Sequence, residues 1–166
     1  MGRSRYQIFS PEYPYFITSS LNFRTPLFGS SEYALLLKQS LIHYKRTYNA
    51  KIYCYVLMPD HIHMIIQADR LSYFMRGFKS YTAKSILKKL FDQERFELVQ
   101  MFRKFKKQHK RNSTYQIWQE GFHPIIVDDE KKFENIANYI HYNPVKAKLV
   151  ERPEEWYYSS ARNYEG

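Results

Sequence analysis

With 166 residues, the chain has the length of one domain and enough material to bury a core without disulfides or a structural metal, so residues 1–166 read as a single domain. Lys and Arg number 26 against 16 Asp and Glu, giving a formal net charge of +10 and a pI near 9.6, the electrostatic footprint of a polyanion binder. Hydrophobic residues make up 44% and aromatics 18%, with five glycines and no repeated or biased stretch, which excludes a disordered linker and a solenoid.

No apolar run approaches the ~20 residues that span a bilayer, and no secretion signal is evident. A cytoplasmic, nucleoid-associated setting without membrane contact is expected. The single cysteine, Cys54, has no partner for an internal bridge and reads as core filler.

Residues 13–24, YPYFITSSLNFR, are rich in β-favouring side chains and predict a first strand, closed by Pro26 and Gly29. Ser30 or Ser31 is placed to cap a helix in which Tyr33, Leu37, Leu41, Tyr44 and Tyr48 recur along one face. KIYCYVL and HIHMIIQ form a hairpin across Met58-Pro59-Asp60. Alternation sends His61, His63 and Ile65 to one side of the second strand and Ile62, Met64 and Ile66 to the other. A second helix runs from Leu71 to about Leu90, with Phe74, Phe78 and Leu90 as core candidates.

A basic insert at about 92–113 follows. Its Leu98, Met101, Phe102 and Phe105 have helical spacing, and it carries the densest positive cluster in the chain. YQIWQEGFHPIIV, residues 115–127, predicts a strand with a bulge or kink at Gly121. Asp128 or Asp129 then caps a last helix with a packing stripe of Phe133, Ile136, Ala137 and Ile140, ended by Pro144. The order predicts an α+β fold: a ferredoxin-like or RRM-like βαββαβ antiparallel sheet, with an additional C-terminal helix for its free face.

Two histidines one residue apart on a strand project to the same side with Cα atoms roughly 6–7 Å apart, a reach suited to one divalent ion. The alternative is that His61 and His63 fill space. On the last helix Tyr139 and Asn143 stand four apart and share a face. If that helix covers the sheet, both approach the histidines. Two imidazoles, an amide oxygen and water suit Mg²⁺ or Mn²⁺, with the nitrogen ligands favouring Mn²⁺. His123 and His141 read as structural or surface groups, His43 and His109 as surface groups, and Asp60 as a shaper of the hairpin turn.

VLMPDHIHMII, WQEGFH, YIHYNPVKAKLV and WYYSSARNY, in this order and spacing, resemble the REP-associated branch of the single-tyrosine HUH transposases, a group that includes transposases of small bacterial insertion sequences. The resemblance runs from YFITSSLNFRTPLF to YSSARNY, nearly the whole chain. It implies a metal-dependent single-stranded DNA endonuclease and transposase that cleaves and rejoins DNA next to hairpin sequences through a 5′-phosphotyrosine intermediate. It also implies that His61 and His63 are metal ligands around a buried Ile62, that Tyr139 is the nucleophile, and that Asn143 is the third ligand, where many insertion-sequence members carry glutamine. No nucleotide cofactor is implied, and no P-loop occurs. Insertion-sequence relatives work as dimers, whereas members of the REP-associated branch can act as monomers, so a homodimer is compatible with the resemblance.

Single-stranded or hairpin DNA requires cations for phosphates and flat rings for unstacked bases. The phosphate-contact candidates are Arg3 and Arg5, then Arg76, Lys79 and Lys84, then Arg103, Lys104, Lys106, Lys107, Lys110 and Arg111. Two other readings stay open: a non-catalytic RRM-like nucleic-acid-binding protein whose sheet aromatics stack bases, and a metal-dependent hydrolase in which water attacks. A replication initiator or relaxase uses the same kind of site, but the small size and missing helicase domain favour a transposase.

Overall fold

The computed structural model of the protein describes residues 10–104 and 114–165. Arg3, Arg5, Phe105, Lys106, Lys107, His109, Lys110 and Arg111 lie outside the described residues. Strands β1 (Tyr15–Ser20), β2 (Lys51–Met58), β3 (His61–Gln67) and β4 (Ile125–Ile126) form an antiparallel sheet in the order β2-β3-β1-β4. Helices α1 (Ser31–Thr47) and α2 (Leu71–Asp92) cover one face, joined by α3 (Phe96–Lys104) from the basic insert, and α4 (Glu130–Lys146) covers the other. This is the expected βαββαβ order with α3 inserted and α4 added.

Two cores follow from the alternation of β3. Ile62, Met64 and Ile66 join Leu37 of α1 and Phe74 and Phe78 of α2 in the larger core. Each fully buried aromatic or branched side chain there contributes about 1.5–3 kcal/mol. On the other face Ile65 packs with Cys54, Val56 and Met58 of β2 and with Ala137 and Ile140 of α4. Cys54 is core filler as expected, and burial pushes its thiol pKa up to about 12.

The chain after α4 returns along the outer edge of β2. The Leu57 amide donates to the Tyr158 carbonyl, the Ser160 amide to the Tyr55 carbonyl, and the Tyr164 hydroxyl to the Tyr53 carbonyl. The Trp156 indole N–H donates to the Leu57 carbonyl at 2.9 Å.

Three boundaries differ from the sequence-based expectation. The strand expected over 13–24 ends at Ser20, because the Leu21 amide leaves the ladder for the Asp60 carbonyl and the chain enters a 3₁₀ turn at Asn22–Arg24. The strand expected over 115–127 is broken: Trp118 bridges Leu21, and pairing resumes only at Ile125 opposite Phe16. Six residues lie between Trp118 and Ile125 but four between Leu21 and Phe16, so the surplus loops out, through Gly121 at φ 73° and Pro124, which has no amide to give to a ladder. Pro144 does not end α4. It removes only its own amide bond, and the helix continues to Lys146. The stop is Lys148 at φ 57°, where the Lys148 amide donates to the Val145 carbonyl and the Leu149 amide to the Pro144 carbonyl, a Schellman ending without glycine.

Gly77 is needed where it stands. A Cβ there would lie 2.5 Å from Tyr44 Cε1, and the Tyr44 ring is boxed in by Tyr48, Phe74, Phe78 and Tyr81. Gly77→Ala gains about 1 kcal/mol of helix propensity yet is expected to lower stability by about 1–2 kcal/mol through overpacking. In a Tyr44→Leu background the same change should stabilise, which urea unfolding of the four variants would show.

Candidate active site

Helix α4 starts at Asp129, whose carboxylate accepts from the Lys132 amide at 2.8 Å, one of the two caps expected. Phe133, Ile136, Ala137 and Ile140 then anchor it to the face of β2 and β3 that carries the histidines. Tyr139 precedes Ile140 and so falls at the margin of this contact, 42% exposed. Its ring meets His63 edge-on at 5.4 Å between centroids. Phe16 of β1 stacks on His63 at 5.5 Å and meets Tyr139 edge-on at 6.0 Å, while the His61 and His63 rings are 4.6 Å apart. Asn143 follows one helical turn after Tyr139 and is half-buried.

Each imidazole is held by Nδ1. His63 Nδ1 lies 2.8 Å from Thr18 Oγ1, its cross-strand neighbour. His61 Nδ1 lies 2.5 Å from Asp60 Oδ1, and Arg24 Nε donates to Asp60 Oδ2 at 2.6 Å. A carboxylate paired with a guanidinium only accepts, so His61 Nδ1 carries the proton and Nε2 keeps its lone pair. Neither Nε2 has a hydrogen-bond partner among the described residues. Fixing Nδ1 to a carboxylate, as Asp60 does for His61, is the usual way a protein orients a metal-binding histidine; the Thr18 hydroxyl holds the His63 ring in place.

Burial also sets the charge state. His61 and His63 are 8% and 6% exposed. Desolvation lowers the His61 pKa against the opposing pull of Asp60, and takes that of His63 down to about 3, with His61 and Arg24 adding to the shift. Both rings are neutral at pH 7, the form that binds metal. No cluster of three or more His, Cys, Asp and Glu side chains that could hold a metal occurs among the described residues. A cation on this pair would need its remaining ligands from an amide, water or substrate; the amide of Asn143 lies on the same helix face as Tyr139.

The remaining sequence candidates lie elsewhere. Arg76 and Lys84 are exposed on α2, across the sheet from the histidines, and Arg103 and Lys104 are exposed at the end of α3 in the same layer. Lys79 donates to the carbonyls of Gln119 and Gly121 at 2.7 and 2.5 Å, holding the looped-out segment. His141 is buried, 2.9 Å from Ser160 Oγ, and fastens the returning chain to α4, a structural role as expected. His43 is exposed. Asp60 does more than shape the turn, since its carboxylate orients His61.

Two cations stand beside these groups that are absent from the sequence-based candidates. Lys146 places Nζ 5.4 Å from the centroid of the Tyr139 ring; its seven-residue spacing from Tyr139, two helical turns, is the signal that finds it. Arg24 arrives through a turn with no periodic signature.

The buried neutral histidines make the fold acid-sensitive. Each has a folded-state pKa below its unfolded value near 6.5, so the unfolded chain binds more protons below that pH and stability falls with acidification. Stability should be level above about pH 7 and decline from 6.5 towards 3, with His63 alone contributing about 2 kcal/mol of loss by pH 5. Urea unfolding at pH 7 and 5 would show it, and His63→Asn should flatten the difference.

The sequence model of the family described as transposase IS200 like matches residues 12–143. A Haemophilus influenzae protein named as a candidate REP-associated tyrosine transposase is 31% identical over 157 residues, spanning 88% of this chain and 78% of that relative. Among solved structures, a REP-associated tyrosine transposase bound to a REP hairpin shares the fold, with TM-score 0.72 and 22% identity over 98% of this chain and 84% of that one. The matched residues include His61, His63, Tyr139 and Asn143, and the chain belongs to the IS200-like transposase family, in its REP-associated tyrosine transposase branch.

Proposed function

We propose that this transposase is a single-strand DNA endonuclease that cuts and rejoins DNA beside hairpins through a tyrosine nucleophile. The observation that carries the reading is Tyr139, partly exposed and edge-on to His63, above two neutral imidazoles whose Nε2 atoms lack protein partners among the described residues. The Nε2 atoms of His61 and His63 and the amide oxygen of Asn143 would hold Mg²⁺ or Mn²⁺, which supplies Lewis-acid polarisation of the scissile phosphate.

Tyr139 does the bond chemistry. Its phenolic oxygen forms a bond to phosphorus as the bond from phosphorus to the 3′-oxygen breaks; the phenol loses its proton to solvent and the departing oxygen takes one up as a 3′-hydroxyl. The protein then holds the 5′-phosphate of the downstream fragment as a tyrosine ester. One phosphate ester replaces another of similar energy, so a 3′-hydroxyl can reverse the step without a nucleotide cofactor. The Lys146 ammonium beside the ring adds positive charge where phosphate arrives. One chain supplies both imidazoles and the tyrosine, so the arrangement does not require a homodimer.

Hairpin DNA as substrate is supported by the +10 charge and by the REP hairpin bound to the structural neighbour. The cations of α2 and α3 suit duplex phosphates at a distance from the cut. A purely RNA- or DNA-binding sheet has no use for two buried, oriented imidazoles beside a tyrosine.

The test uses hairpin oligonucleotides with single-stranded flanks, labelled at the 3′ end so that the tyrosine-linked fragment is visible. Wild type with Mn²⁺ should give a protein-DNA adduct that EDTA prevents. Tyr139→Phe should give neither adduct nor cleavage. His61→Ala and His63→Ala should slow adduct formation by about 100-fold or more, and Asn143→Ala by about tenfold. Cleavage without adduct in Tyr139→Phe would instead make water the nucleophile.

A further inference from the structure

The turn after β1 is strained beside the histidine pair. Phe23 and Arg24 have φ 60° and 52°, in the left-handed region that costs a non-glycine residue about 1 kcal/mol or more. This backbone brings the Arg24 guanidinium against the β2–β3 hairpin. Nε donates to Asp60 Oδ2 at 2.6 Å and Nη1 to Ser20 Oγ at 3.1 Å, while Nη2 lies 3.4 Å from His61 Nδ1. Because His61 Nδ1 donates its proton to Asp60, it cannot accept one from Nη2. Two donors therefore face each other across that gap.

A guanidinium has five N–H groups. Asp60 and Ser20 take two of them, and the others have no acceptor among the described residues. The Arg24 side chain is 56% exposed although it is anchored to a carboxylate that is only 17% exposed. Its inner edge is fixed and its outer edge is open beside His61. Such an edge is completed by an anionic oxygen.

We infer that Arg24 is a catalytic residue whose open guanidinium edge, fixed by Asp60 and Ser20, hydrogen-bonds a non-bridging oxygen of the DNA phosphate that Tyr139 attacks. The inference rests on the function proposed above. A planar fork of donors matches a phosphate, and donors already held in place need no rearrangement as charge builds on the phosphoryl oxygens. A lysine cannot substitute, because one ammonium cannot bind Asp60, Ser20 and a phosphate oxygen in three fixed directions.

Single-turnover adduct formation on a 3′-labelled hairpin, at saturating DNA and Mn²⁺, compares wild type with Arg24→Gln and Arg24→Lys. Mn²⁺ binding to the DNA-free proteins is followed in parallel by electron paramagnetic resonance. Both variants should form adduct about 100- to 1000-fold more slowly, while their Mn²⁺ affinity stays within about tenfold of wild type. Arg24→Lys keeps the charge and serves as the informative variant if Arg24→Gln does not fold. Rates within about threefold of wild type overturn the inference. So does a defect seen only in a companion series below saturating Mn²⁺, since Arg24 would then act only by orienting His61. No adduct in wild type overturns the proposed function itself, whereas an adduct in wild type with undiminished variants overturns the role of Arg24 alone.

Discussion

Strand β3 is hydrogen-bonded along both edges and covered on both faces, and the site depends on that confinement. His61 to Ile66 are all buried, so each residue must belong to one layer or the other. Giving Ile62, Met64 and Ile66 to the α1/α2 core commits 61, 63 and 65 to the side of α4. Near the hairpin end that layer holds the two imidazoles, dry enough to stay neutral, with the exposed Tyr139 beside them. Register adds the partner. Pairing of β1 with β3 sets Thr18 opposite His63 and Ser20 opposite His61, and a one-residue slip would turn both histidines into the main core.

The nucleophile candidate is placed by the same logic applied to a helix. Ala137 and Ile140 fix the rotation of α4 on the sheet, which leaves Tyr139 on the flank rather than beneath the helix. Phe16 completes the arrangement from β1 by touching both His63 and Tyr139. Three elements far apart in sequence thus meet through three aromatic rings. The β-hairpin and its neighbour strand supply the buried groups of the site, and the helix brings the more exposed one to them.

Much of this was legible before any coordinates. The two-residue period of HIHMIIQ, the stripe of α4, a cap at Asp128 or Asp129 and the ordered segments shared with a known family were enough to place His61, His63 and Tyr139 on facing elements. Local pattern did not reveal features that depend on distant pairing. Leu21 leaves β1 because Asp60 offers it a carbonyl, and the 115–127 segment breaks because its register against β1 has residues to spare. Pro144 misled for a smaller reason: a proline in the last turn removes one bond, and two further residues can still be helical. Arg24 was invisible because its place comes from left-handed backbone at non-glycine residues, which no spacing rule announces.

The chain that returns along β2 also determines how the sheet meets other proteins. An open strand edge is a row of unpaired amides and carbonyls that any extended peptide can join. Residues 156–164 occupy that row on β2, with backbone and side-chain bonds to Tyr53, Tyr55 and Leu57. At the opposite end β4 is two residues long, too short to template a partner strand. Neither end of the sheet therefore offers a long open edge for an extended polypeptide to join.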